Sequence, residues 1–166
     1  MTVPSPSASR EAPAADTAAS RFDVANRLFF RLYQGSNLMH KVGTRFVAGF
    51  GVTTQQWAVL GALSGPKARA QGMTVKDLLA FLLVSRQNLT PVLDRLEERG
   101  WIERVKDPAD GRSRRIRLTP RGEELWARML DPIAAFYTEA LKELSFEEQV
   151  TLFRLLDRLK TTLTRL

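Results

Sequence analysis

Only one stretch of this chain abandons a helical pattern, and it does so twice within a short span. Trp101-Ile102-Glu103-Arg104-Val105 and Arg114-Arg115-Ile116-Arg117-Leu118 are strand-like, and the turn formers Asp107-Pro108-Ala109-Asp110-Gly111 separate them. Gly100 stands just before the first strand, where a helix ends in the left-handed conformation. Thr119-Pro120 stands just after the second, with threonine as N-cap and proline at the first helical position. A single hairpin is not stable by itself in water. It must lie against helices, so the expected fold is mainly α with a small β-hairpin.

The rest of the chain supplies those helices. From Phe22 to about Phe50, Leu28, Leu32, Met39, Val42, Phe46 and Phe50 recur at helical spacing, and Gly35, Gly43 and Gly49 weaken the helix locally. Thr53 or Thr54 caps a helix to Leu63, with Trp57, Leu60 and Leu63 facing inward. Gly65-Pro66 closes that helix, and residues 67–73 read as a polar loop. Thr74 and Asp77 form a capping box for a short helix that turns Val75, Leu78 and Leu79 inward. Its end is blurred by the apolar run 78–84. Ser85 caps the next helix, which carries Leu89, Val92, Leu93 and Leu96 on its inner face. Beyond the hairpin a helix runs to about Leu144, with a kink expected at Asp131-Pro132. Ser145 and Glu148 then box a last helix striped with Leu152, Leu155, Leu156, Leu159 and Leu163. The order is four helices, a two-stranded hairpin and two more helices. Residues 1–20, with three prolines and no aromatic residue, read as a disordered tail.

Charge narrows the partner. Lys and Arg number 25 against 18 Asp and Glu, a net charge of +7, and the isoelectric point is near 10.4. A polyanion suits such a chain, either nucleic acid or an anionic membrane surface. The absence of cysteine excludes disulfides and thiolate metal sites, and a single histidine, His40, argues against a histidine metal site. No metal and no cofactor is expected. There is no Gly-rich phosphate loop and no nucleophile elbow, so catalysis is not expected. No apolar run is long enough to span a membrane and the N-terminus is unlike a signal peptide, which makes a cytoplasmic location the expectation.

The block 74–119 has the layout of a winged helix-turn-helix. The helix opened by Ser85 presents Arg86, Gln87, Asn88 and Thr90 near its N-terminus, side chains that hydrogen-bond base edges in a major groove. From Trp101 to Arg121 there are seven basic residues (Arg104, Lys106, Arg112, Arg114, Arg115, Arg117, Arg121) and three acidic ones (Glu103, Asp107, Asp110), a local balance of 7 − 3 = +4. A cationic hairpin beside a polar-tipped helix suits phosphate contact. Because the charge sits in a hairpin and not along an amphipathic helix, double-stranded DNA is favoured over a membrane surface. A nonspecific architectural protein is the alternative, disfavoured by the Gln-Asn pair. Pro91 lies inside the proposed recognition helix, removes a backbone donor and is expected to delay or bend the helix start.

These residues resemble the MarR family of bacterial regulators. Asp110-Gly111-Arg112-Ser113-Arg114-Arg115-Ile116-Arg117-Leu118-Thr119 fits the family's wing signature D-x-R-x-x-x-x-x-L-T. GVTTQQWAVLGAL (51–63), LDRLEERGWIERVKDPAD (93–110) and TPRGEEL fit the flanking passages. The resemblance spans about 22–166. It implies a homodimer on a pseudo-palindromic operator, with residues 21–50 and 120–166 forming a helical dimerisation region and 51–119 the DNA-binding domain. It further implies Asp110 as the brace of the wing, Arg112 as its DNA contact and Arg114 as a second. Repression, relieved by a small effector such as an aromatic acid or acyl-CoA, is the activity the family implies. Tyr33, Asn37, His40 and Thr44 share one helical face, with Trp57 as a closing wall and His40 or Arg45 as partner for a carboxylate. His40 as a hydrogen-bonded structural residue, and Trp57 as plain core, are the alternatives.

Overall fold

A computed structural model describes residues 17–107 and 113–166. Five of its helices begin where a hydroxyl residue in extended backbone accepts a hydrogen bond from the amide three residues on: Thr53, Thr74, Ser85, Thr119 and Ser145. The helices are α1 (Ala18–Val47), α2 (Thr54–Ser64), α3 (Pro66–Gln71), α4 (Val75–Leu82), α5 (Arg86–Glu98), α6 (Pro120–Leu141) and α7 (Phe146–Leu163). The strands are β1 (Met73–Thr74), β2 (Ile102–Lys106) and β3 (Arg114–Leu118). A single 3₁₀ turn, Ala48–Phe50, follows α1.

Helix α1 starts at Ala18, within the segment read as tail; residues 1–16 lie outside the described residues. Residues 67–73 are not a loop. Pro66 presets the first turn of α3, Ala68 is buried, and Gly72 at φ 67° swings the chain into β1. That two-residue strand pairs with β3, Met73 opposite Ile116, so the sheet is three-stranded and antiparallel in the order β1-β3-β2. Alternation cannot reveal so short a strand. Strand β2 begins one residue later than expected because Trp101 still belongs to the end of α5. Its amide donates to the Leu96 carbonyl and the Gly100 amide to that of Glu97, the Schellman closure that Gly100 permits at φ 68°. Helix α6 continues through Pro132 and ends at Leu141.

The described chain falls into two units, one ending at Met39 and one running from His40 to Leu166. The first holds the greater part of α1 and exposes Phe22, Phe29, Phe30 and Tyr33. The second contains the core: Val59, Leu60 and Leu63 of α2, Leu78 of α4, Leu89, Leu93 and Leu96 of α5, Ile102 and Ile116 of the sheet, and Leu125, Met129 and Ile133 of α6. Burying side chains of this size stabilises by about 1.5–3 kcal/mol each. Helix α7 is the exception, since none of its residues is buried and its leucine stripe faces outward.

Candidate nucleic-acid interface

The core stripe of α5 fixes which face of that helix remains outside. Leu89, Leu93 and Leu96 point inward, leaving Ser85, Arg86, Gln87, Asn88, Thr90 and Pro91 exposed together. The helix starts at Arg86 without delay, so Pro91 does not shift its onset. It deprives the Gln87 carbonyl of its partner four residues on. The exposed hydroxyls are already committed. Ser85 Oγ accepts from the Asn88 amide at 3.3 Å, and Thr90 Oγ1 donates to the Arg86 carbonyl at 2.9 Å. The side chains of Arg86, Gln87 and Asn88 are exposed and have no partner among the described residues, which leaves them available to base edges. The helix N-terminus beneath them adds positive potential.

The sheet divides the basic residues of the wing into two groups. Three are neutralised within the protein. Arg104 bonds Asp94 at 2.6 Å and Glu97 at 2.7 Å, both on α5, and so ties β2 to that helix. Arg115 Nε donates to Asp107 at 2.7 Å, and its guanidinium also reaches the carbonyls of Gln71 and Gly72. Arg117 meets Glu103 directly across the β2–β3 register at 2.7 Å. Lys106 and Arg114 are exposed and form no ion pair with any described residue. The wing's excess charge is thus narrower than its composition, because the acids that cancel Arg104 come from another element. Asp110 and Arg112 lie outside the described residues. The pair that anchors the wing strands here is Asp107–Arg115, with Asp107 only 7% exposed.

A cleft of about 240 Å³ opens beside α5, lined by His40, Gln55, Val59, Leu82, Val84 and Asn88, among others. His40 Nδ1 lies 2.8 Å from Thr54 Oγ1, and the Thr54 amide donates to Thr44 Oγ1 at 3.4 Å. Two members of the polar line, His40 and Thr44, therefore meet at the start of α2. Tyr33 and Asn37 are exposed in the first unit, and Arg45 is exposed at the end of α1. Trp57 does not line the cleft. It packs edge-on against Phe136 at 5.8 Å and tilted against Tyr137 at 5.9 Å. Gly43 admits this packing, since a Cβ there would touch Thr54 and the indole. Burial raises the Tyr137 hydroxyl above its ordinary pKa. Sequence reasoning missed Gln55, Val84 and the placement of Asn88 on the cleft; only the packing of α2 against α5 and the α4–α5 turn brings them together.

Comparison with known proteins agrees with this geometry. The MarR family profile matches residues 50–113. The transcriptional activatory protein BadR of Rhodopseudomonas palustris is 47% identical over 89% of this chain and 87% of its own. Among solved structures, a probable transcriptional regulator from Pseudomonas aeruginosa superposes with a TM-score of 0.72 at 29% identity, covering 82% of this chain and 98% of that one. Reduced AbfR bound to DNA, a protein of Staphylococcus epidermidis, superposes with a TM-score of 0.71 at 26% identity over 89% of this chain and 99% of its own. With a helix-turn-helix, a three-stranded wing and relatives that regulate transcription, this chain belongs to the MarR family of winged-helix transcription regulators.

Proposed function

We propose that the protein is a homodimeric, sequence-specific DNA-binding regulator that places α5 in the major groove and the β2–β3 wing on the flanking backbone. The carrying observation is the exposed first turn of α5, where the side chains of Arg86 and Gln87 have no partner among the described residues. Arg pairs with guanine and Gln with adenine in that groove. Lys106 and Arg114, with Arg112 between them in the sequence, suit phosphate or minor-groove contact. The unburied apolar stripe of α7 supports dimerisation, and a two-fold dimer implies a pseudo-palindromic operator. The identity with BadR, called an activatory protein, favours activation of a promoter over the repression that the family at large implies. The cleft behind α5 suits a small effector, and an aromatic acid fits its mixed lining: His40, Gln55 and Asn88 offer polar contacts against Val59 and Leu82.

Fluorescence anisotropy with the protein's own upstream DNA and a scrambled duplex tests the reading. Tight, salt-sensitive binding to the native duplex alone is expected, and Arg86→Ala should weaken it by about 1–3 kcal/mol. Equal weak binding to both duplexes, unchanged by Arg86→Ala, sinks it in favour of a nonspecific architectural role. For the effector, His40→Ala should lower the affinity for an aromatic acid while DNA binding persists; unchanged affinity removes the cleft from consideration.

A further inference from the structure

Leu83, in the turn between α4 and α5, holds φ 54° and ψ 41°, the only positive φ of a non-glycine among the described residues. Left-handed backbone is disfavoured for a side chain of this kind, and glycine would adopt it freely. Burial does not offset the strain, since Leu83 is 59% exposed and lies outside the core cluster. Its neighbour Val84 turns toward the cleft behind the recognition helix, whereas Leu83 faces solvent. The turn thus keeps a strained, outward leucine that neither backbone geometry nor packing requires, the kind of outlier that accompanies a functional contact.

Its position indicates what that contact is. Leu83 stands two residues before the Ser85 cap, within about 7 Å of it along the chain. The exposed turn bearing Arg86 and Gln87 begins immediately beyond. On the DNA-binding reading, a duplex that receives this turn would meet the exposed Leu83 at its edge. The apolar group that a major groove displays there is the thymine 5-methyl; the other base-edge groups are hydrogen-bond donors and acceptors. We propose that Leu83 is a specificity-determining residue, seated on the 5-methyl group of a thymine at the edge of the base steps read by α5. The proposal rests on the DNA-binding reading above.

The test uses a duplex selected from a random pool by the full chain, then resynthesised with each thymine in turn replaced by deoxyuridine, which lacks only the methyl group. One thymine per half-site should prove sensitive, its replacement weakening wild-type binding about fivefold. Leu83→Gly and Leu83→Asn, both compatible with left-handed backbone, should bind the thymine duplex about fivefold more weakly and be indifferent to that replacement. The melting temperature of Leu83→Gly should equal or exceed that of wild type, and Arg86→Ala should weaken both duplexes alike. Variants that bind as wild type does, or that lose equally on thymine and deoxyuridine duplexes, overturn the proposal while leaving the DNA-binding reading intact. Failure of wild type to select any sequence overturns both.

Discussion

Asp107 is the acid whose loss the wing should tolerate least. Its carboxylate is 7% exposed and bonds Arg115, which is itself only 26% exposed and spans from β3 to the end of α3. Removing one partner of a pair this sheltered leaves a charge with few alternatives. Asp107→Ala should therefore lower stability by about 2–3 kcal/mol in denaturant unfolding. The exposed pair Arg117–Glu103 is worth far less to stability, about 0–1 kcal/mol. The same distinction sorts the DNA contacts. Arg114→Ala removes a cation with no ion-pair partner among the described residues and should reduce the salt slope of DNA binding by about 1. Arg117→Ala frees Glu103 as it removes the guanidinium, yet the arginine was already neutralised, so the slope should change by less.

At the level of elements, the corner between β3 and α6 depends on one missing side chain. Gly122 packs so closely beneath Trp101 that a Cβ would fall on the Trp101 carbonyl oxygen. Thr119 reinforces the approach through its amide bond to that carbonyl and its hydroxyl bond to Gly100. Gly122→Ala should destabilise by roughly 3 kcal/mol or more, read as a fall in melting temperature, because backbone must move. The α4 cap carries a pH signature. Hydrogen bonds from the Thr74 hydroxyl and amide hold Asp77 below its ordinary pKa. Its contribution is complete above the unfolded value and fades as pH falls through the lower folded one. The stability gap between wild type and Asp77→Asn should therefore close in acid, as followed by thermal melts. Caps of this type were legible in the sequence because they are local: Thr74 with Asp77, Ser145 with Glu148, and Gly100 at the end of α5. Strand β1 was not, since Met73 and Thr74 become a strand only by meeting β3. Nor was the cancellation of Arg104, whose acids Asp94 and Glu97 are brought to it by the fold, or the cleft position of Asn88, which required α2 to pack against α5. Trp57 shows the limit from the other side: a large apolar residue on α2 was readable, but its choice of Phe136 over the cleft was not.

For the whole molecule the unresolved demand is burial. Helix α7 has no buried residue, although Leu152, Leu155, Leu156 and Leu163 are 41–54% exposed along it. Apolar surface of this extent marks an interaction site. For the homodimer proposed above, the double substitution Leu152→Glu/Leu156→Glu should halve the mass seen by light scattering and weaken operator binding by about 100-fold, as two linked heads become one. Within one chain, the link from Arg104 to Asp94 and Glu97 has a consequence for the proposed operator. It ties the wing root to α5, and on the DNA-binding reading proposed above the two act as a caliper. On that reading an operator half-site must present its groove and its flanking backbone at that one separation. Lengthening the half-site by a single base pair should be rejected as firmly as a wrong base, and the gauge should loosen when Arg104 is replaced.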